Sequence, residues 1–228
     1  RGVSIVCEGM ITFAKRYAEA CALKAAETAD PARKAELLRI ADTMGWIMDK
    51  PARNFRDAIQ CLWFYQMCVM MDSNLHGASL GRIDKYLGSY AEADLASGAM
   101  TREEIQELVD LYYLKTASLN KTWSAMAVRS GPGYTSGQLF TLGGIDKDGN
   151  DATNIITYMG LETVGRLVMH SPPQALRINR NTPKKLWECA LSVNKRAGGV
   201  PAFFSDDVIM AALIKRGIKP EDAWDYCP

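Results

Sequence analysis

The segment Gly199–Pro228 reads GVPAFFSDDVIMAALIKRGIKPEDAWDYCP and indicates how the rest of the chain is organised. The apolar run Val200–Phe204 predicts a short strand. Ser205 is a favourable N-cap for a helix that follows, and Gly217 is a typical residue at which that helix would end. A strand followed directly by a helix is the repeating unit of an α/β fold. Because Tyr226–Pro228 would lead into a further element, we expect the polypeptide to continue.

The same order of strand and helix recurs upstream of this segment. Gln138–Gly144 (QLFTLGG) and Ala175–Asn179 (ALRIN) are two further predicted strands, and each precedes a segment with helical features. Thr153–Asn154 and Thr182 are the predicted N-caps of these helices. Strands that alternate with helices pair in parallel, because a parallel connection needs a long crossover. We therefore predict parallel strand–helix repeats over 136–228.

Residues 1–120 are predicted to be mainly helical. Apolar residues at three- and four-residue spacings indicate two helices over 4–29 and 31–48, which would form an antiparallel pair. A third helix over 55–71 is apolar on nearly all sides and therefore belongs inside a large protein. A capping box at 101–104 begins a further amphipathic helix. The predicted fold class is thus α/β, with a helix-rich first part.

Composition excludes several classes of protein. The chain has 228 residues, of which 48% are hydrophobic and 23% are charged, as in ordinary globular proteins. A net charge of +1 favours neither nucleic acid nor a membrane surface as a partner. The six cysteines and two histidines have no metal-ligand spacing, so we expect no metal, reduced thiols and a cytoplasmic location. No uncharged apolar run approaches the roughly 18 residues of a membrane span.

A polar segment, Asp72–Ser79, follows the apolar third helix. A buried polar group without a partner costs about 1–3 kcal/mol, so these side chains need partners. One interpretation is that they cap the helix and bond to one another. The other is that His76 faces a pocket, since an imidazole titrates near neutral pH and can orient a hydroxyl or a carboxylate. The residues alone contain no nucleophile–base pair or cofactor motif that names a reaction.

Three runs of sequence resemble glycyl radical enzymes, the group of pyruvate formate-lyase and glycerol dehydratase. The run SNLHGASLGRIDKYL at 73–87 is similar to S-N-G-H-x-x-S-x-G-R-x-D-Q-Y in the dehydratase branch. The runs TLGGIDKDGNDATN at 141–154 and PAFFSDDVIMAALIKRGIKPEDAWDY at 201–226 resemble two further family segments. The resemblance covers nearly the whole chain.

This resemblance implies part of a ten-stranded α/β barrel made of two parallel half-sheets. In the family, a glycine near the C terminus stores a radical installed by an S-adenosylmethionine-dependent (radical SAM) activating enzyme. The radical passes to a cysteine at the barrel centre, and the thiyl abstracts a hydrogen from substrate. That cysteine comes a few residues after the segment similar to 201–226, so we interpret Cys227 as structural. We expect 1–228 to be an internal fragment with no catalytic residue and no turnover of its own.

The resemblance and the strand pattern together give six candidate substrate-binding residues. His76 matches the histidine that contacts substrate in dehydratase-like members. Gly137 falls where many members carry a bulky aromatic residue, which implies a roomier pocket. Arg177 on a buried strand needs a carboxylate partner, which is either a structural aspartate or a substrate acid. The other three candidates, for which core packing is the alternative, are Phe140, Phe203 and Phe204.

The function implied is that of a dehydratase or lyase cleaving a C–O, C–N, C–S or C–C bond of a small metabolite. Formate C-acetyltransferase is an alternative, but that branch lacks the histidine that His76 matches. An arylacetate decarboxylase or a succinate-adding synthase is another, which Gly137 would accommodate. A different class is a helical interaction module without catalysis, in which His76 is exposed or only caps a helix. Expected partners are the small-molecule substrate, the activating enzyme and a second copy in a homodimer.

Overall fold

The computed structural model describes residues 1–72, 78–119, 124–130, 137–169 and 171–228. These residues form two compact units, 1–69 and 70–228. The described helices are α1 (Gly2–Glu27), α2 (Pro31–Trp46), α3 (Phe55–Asp72), α4 (Ile83–Ser97), α5 (Arg102–Ala117), α6 (Ala125–Ser130), α7 (Ile155–Leu167), α8 (Lys184–Arg196), α9 (Asp206–Lys215) and α10 (Pro220–Ala223). The described strands are β1 (Gly81–Arg82), β2 (Phe140–Gly143), β3 (Gln174–Ile178) and β4 (Ala202–Ser205).

The unit 1–69 contains the predicted antiparallel helix pair. The side chain of Asp30 accepts a hydrogen bond from the N–H of Ala32 and so caps α2. Lys15, halfway along α1, pairs with Asp49 beyond the end of α2, which confirms that the two helices run in opposite directions. One buried hydrophobic cluster of this unit draws on α1, α3 and the end of α2 and contains Ala14, Met44, Ile47, Phe64 and Cys68.

The unit 70–228 contains a parallel sheet whose four described strands lie in the order of the sequence. Phe140 of β2 is in register with Gly81 of β1 and with Gln174 of β3, and Leu176 of β3 is in register with Phe203 of β4. All three pairings are parallel, which confirms the predicted strand–helix alternation. The two-residue strand β1 adds to the three strands that the sequence predicted and lies within the part predicted to be mainly helical.

The two faces of this sheet differ in their side chains. Phe140 stacks on Tyr112 of α5 with ring centroids 5.1 Å apart, and Tyr113 donates a hydrogen bond to Gln174 at 3.0 Å. Successive strand residues point to opposite sides, so register assigns every other side chain. The helix face carries Phe140, Leu142, Gln174, Leu176 and Phe203. The opposite face, which we call the arginine face, carries Arg82, Thr141, Ala175, Arg177 and Phe204.

Side-chain caps explain where several of these helices begin. Thr101 forms the predicted capping box with Glu104 at the start of α5, and Asn154 forms one at the start of α7. The predicted cap by Thr182 is wrong: Pro183 holds the N-cap position of α8. The hydroxyl of Thr182 instead accepts a hydrogen bond from the N–H of Asn179, which would otherwise lack a partner at the end of β3.

Candidate functional site

Arg177 lies at the carboxyl end of β3, and its guanidinium is fully buried. Nε donates to Asp206 Oδ1, Nη2 to the carbonyl of Trp224 and Nη1 to the carbonyl of Tyr226, each at 2.8 Å. A buried charge has to be paired and hydrogen-bonded, and these three bonds meet that need. The predicted carboxylate partner is therefore confirmed, and it is the structural aspartate Asp206.

Asp206 and Tyr226 complete a closed triangle with Arg177. The Tyr226 hydroxyl donates to Asp206 Oδ1 at 2.8 Å, and the guanidinium of Arg177 lies 4.0 Å from the centroid of the Tyr226 ring. Burial raises the pKa of Tyr226, and the hydrogen bond to Asp206 raises it further. The phenol is therefore held in its protonated form and serves as a donor.

The paired glycines after β2 make room for this arrangement. Gly143 and Gly144 both have positive φ, at 70° and 89°. A Cβ on Gly144 would lie 2.7 Å from Nε of Arg177, and one on Gly143 would lie 2.6 Å from its carbonyl oxygen. The pair forms an unusual bend and lets Arg177 approach closely, because glycine alone allows both without strain.

Arg82 makes a second contact with the same C-terminal segment from β1. Its Nη1 donates to Asp225 at 3.3 Å, and its Nη2 donates to the carbonyl of Gly143 at 3.1 Å. Lys85 also reaches Asp225, at 2.8 Å, and both cations lie over the ring of Trp224. The segment 224–226 is thus held at the carboxyl ends of β1 and β3, the edge where open parallel sheets place ligands.

Asp84 connects this edge to the helices behind it. Its Oδ2 accepts from the N–H of Gly143 at 2.6 Å and from the Thr157 hydroxyl at 2.7 Å, and its carbonyl accepts from Asn154 Nδ2 at 3.1 Å. Burial raises the pKa of Asp84, while these donors and Arg82 act in the opposite direction. The carboxylate thus fixes the backbone of the glycine turn.

Two of the predicted site residues, Phe140 and Phe203, do not lie on the arginine face. Phe140 packs between Tyr112 and Tyr113, and Phe203 stacks on Trp187 of α8 at 5.6 Å between ring centroids. Both rings lie on the helix face and have the packing role that was the alternative for them. Their assignment as substrate-binding residues remains a prediction that their position does not favour.

The remaining candidates have different surroundings. Phe204 is partly exposed on the arginine face, in register with Arg177. Gly137 is exposed at a φ of 60°, a Cβ placed on it would meet nothing within 4 Å, and its carbonyl accepts a hydrogen bond from the Ser79 hydroxyl. His76 lies outside the described residues. The structure therefore groups Phe204 with Arg177, and among the described residues it leaves room for a Cβ at Gly137.

Four charged or phenolic residues of this network were not predicted as site residues. Arg82 and Asp84 lie in the run GRID, whose resemblance to the family pattern was itself a signal. Asp206 directly follows a predicted strand, where α/β sheets collect polar side chains, and Tyr226 is part of the family-like pre-cysteine run.

Over the residues that the structure describes, no group of three or more His, Cys, Asp or Glu side chains could hold a metal ion. No described helix is long and apolar enough to cross a bilayer.

Comparison with known proteins gives consistent matches over the whole chain. The family model described as pyruvate formate lyase-like matches residues 1–228. An isethionate sulfite-lyase of Nitratidesulfovibrio vulgaris is 33% identical over 98% of this chain and 27% of its own length. A trans-4-hydroxy-L-proline dehydratase of Clostridioides difficile is 29% identical over 97% of this chain and 28% of its own length.

Solved structures agree with these sequence matches. A structure described for 1,2-propanediol dehydration in Roseburia inulinivorans superposes with a TM-score of 0.91 and 34% identity over 97% of this chain. The B12-independent glycerol dehydratase of Clostridium butyricum, with glycerol bound, gives 0.89 and 34% over the same share. The chain spans 28% of each of those proteins. The predicted helix-rich α/β architecture with parallel strands is thereby confirmed as that of glycyl radical enzyme barrels.

Proposed function

This chain belongs to the pyruvate formate lyase-like family, and from that premise we propose that its protein is a glycyl radical lyase or dehydratase. The observation that carries the proposal is the position of segment 224–226. This segment resembles the family's pre-cysteine run and is held at the carboxyl ends of the strands by two buried arginines. A cysteine a few residues further on would start from the substrate-binding edge of the sheet.

The radical, stored on a glycine outside this chain, would supply the hydrogen abstraction that starts bond cleavage. The residues of this chain would shape and close the cavity. Phe204 offers an apolar surface on the arginine face, which helps to exclude water from a reactive intermediate. Arg177 uses all three of its nitrogens on protein acceptors, so we assign it to holding the backbone rather than to binding a substrate acid.

We propose a small substrate that loses water or an anionic leaving group. Relatives named as an isethionate sulfite-lyase, a hydroxyproline dehydratase and a (2S)-3-sulfopropanediol dehydratase support cleavage of a C–S or C–O bond. The same names support this branch over formate C-acetyltransferase. His76 is the proposed contact for a hydroxyl or an acidic group of the substrate.

A decarboxylase of an aryl substrate is the second candidate. The surroundings of Gly137 support it, because a Cβ there would meet no atom of the described residues within 4 Å. A relative named indoleacetate decarboxylase, from Tractidigestivibacter scatoligenes, is 31% identical over 98% of this chain.

We also propose that the protein acts as a homodimer in the cytoplasm and receives its radical from a radical SAM activating enzyme. The non-catalytic helical module has no comparable support.

The test is to activate the full-length protein anaerobically with a radical SAM activating enzyme and to record its electron paramagnetic resonance spectrum. We expect a glycyl radical doublet, and turnover of one member of a panel of hydroxylated, sulfonated and arylacetic substrates. The variant His76→Ala should lower kcat/KM about 100-fold, and the matched control His170→Ala should not. A folded full-length protein that acquires no glycyl radical when it is treated with an active activating enzyme would refute the proposal.

A further inference from the structure

We propose that Arg177 is a positioning residue, which fixes the main chain at Trp224 and Tyr226 and thereby the place of the residues that follow. The kinetic consequence rests on the proposed function, whereas the structural consequence does not. The two carbonyl acceptors lie 47 and 49 positions beyond Arg177 in the sequence, so the contact sets long-range geometry.

Recognition of backbone carbonyls makes the contact independent of the side chains at these positions. A planar guanidinium can direct Nη1 and Nη2 at two carbonyls that are two positions apart in the sequence, and Asp206 fixes the plane by accepting from Nε. Gly144 leaves space for that plane, since a Cβ there would collide with Nε. A lysine has a single nitrogen and cannot span these acceptors.

The contact from Arg82 cannot substitute for this one. Arg82 reaches the segment through the ring of Trp224 and through the carboxylate of Asp225, which is partly exposed and is shared with Lys85, so both of its contacts are with side chains. Exposed charge pairs are weakened by solvent and salt. The fully buried guanidinium of Arg177, bonded to two main-chain carbonyls, therefore holds the segment most tightly.

A thiol placed by this segment must come within about 3–3.5 Å of the hydrogen it removes, and a displacement of 1 Å can reduce the rate about 100-fold. Because Arg177 makes its contacts with protein rather than with substrate, its loss should lower kcat and leave KM nearly unchanged. A residue that contacted substrate in the ground state would change KM instead.

The experiment compares full-length Arg177→Lys with the matched control Arg102→Lys, whose parent arginine forms an exposed ion pair with Glu162. In Arg177→Lys, we expect amide hydrogen exchange in the peptide 219–228 to accelerate about tenfold or more, with the peptide 155–167 unchanged. We also expect kcat per glycyl radical to fall about 100-fold, with KM within about threefold. The control should show neither change.

Each other outcome decides the proposal. Unchanged exchange at 219–228 in folded Arg177→Lys overturns it, whatever the activity. Faster exchange with an unchanged kcat per radical overturns the kinetic part. If the unaltered protein acquires no radical, the proposed function fails while the exchange data still decide the positioning. If Arg177→Lys does not fold, Tyr226→Phe removes only the hydroxyl bond to Asp206. That variant should accelerate exchange about threefold, and no acceleration there overturns the proposal.

Discussion

Asp84 accepts a hydrogen bond from the N–H of Gly143 at 2.6 Å, although the two residues lie 59 positions apart in the sequence. The same carboxylate oxygen accepts from Thr157 in the first turn of α7. One buried side chain on α4 therefore ties the end of β2 to the first turn of α7. Since Arg177 packs against Gly144, the whole arginine network depends on where Asp84 holds this turn.

Replacing Asp84 with asparagine should destabilise the protein. An asparagine has one acceptor oxygen and one NH2 group, so either the N–H of Gly143 or the N–H of Lys85 would face a donor. A buried donor without an acceptor costs about 1–3 kcal/mol. Urea denaturation measures this loss, and the exposed turn residue Asp148 provides the control Asp148→Asn, which should change the free energy of unfolding by less than about 0.5 kcal/mol. Equal losses of unfolding free energy in Asp84→Asn and Asp148→Asn would contradict the role of Asp84 as a buried hydrogen-bond acceptor.

The stability gap between the protein and Asp84→Asn should depend on pH. Burial raises the folded-state pKa of Asp84 above the usual value of about 3.9, so the unfolded chain loses this proton first. This group's contribution to stability is therefore greatest below about pH 4 and is lost as pH rises through the folded pKa. Urea midpoints of both proteins between pH 4 and 7 should show the gap narrowing. A gap that widens over this range would show that the hydrogen bonds, rather than burial, dominate the pKa.

Gly144→Ala should be more harmful than Gly149→Ala, although both glycines have φ near 85°, at 89° and 82°. Either alanine costs about 1–2 kcal/mol in this backbone region. A Cβ on Gly149 meets nothing within 4 Å, whereas one on Gly144 lies 2.7 Å from Arg177 Nε. We expect an additional loss of about 1–3 kcal/mol for Gly144→Ala, measured by chemical denaturation. Equal losses would mean that the guanidinium moves aside without cost.

The two capping boxes should also differ in their contributions to stability. Thr101 caps α5 through local bonds only, so Thr101→Ala should cost about 1 kcal/mol. Asn154 caps α7 and in addition donates from Nδ2 to the carbonyl of Asp84. Asn154→Ala should therefore cost about 2 kcal/mol in thermal or urea unfolding. A smaller loss of stability in Asn154→Ala than in Thr101→Ala would show that the hydrogen bond from Asn154 to Asp84 does not stabilise the contact between α7 and α4.

Local patterns in the sequence predicted the alternation of strands and helices, because each element carries its own cap or period. Strand β1 was missed because two residues, Gly81 and Arg82, are too short to show an alternating pattern. The helix α4 was likewise not assigned, although Gly98 ends it in the left-handed conformation that is typical of a C-terminal glycine.

The candidate site was predicted less completely than the fold. The need of Arg177 for a carboxylate follows from burial alone, and Asp206 fulfils it. Its other two acceptors are main-chain carbonyls, which carry no residue-specific signal in a sequence. Strand alternation predicts that Phe203 and Phe204 point in opposite directions. The packing in the structure, including the stacking of Phe203 on Trp187, shows which of them faces the helices.

Phe203→Ala and Phe204→Ala should therefore affect different properties of the full-length protein. Phe203 loses its stack on Trp187, so its variant should lower the free energy of unfolding by about 2 kcal/mol and leave KM unchanged. Phe204 lies partly exposed on the arginine face, so its variant should raise KM about tenfold, as expected for about 1.4 kcal/mol of lost apolar contact. Each variant serves as the matched control for the other, since they remove the same side chain from adjacent positions of β4. A rise in KM for Phe203→Ala but not for Phe204→Ala would place the substrate against the helix face and contradict the proposed site.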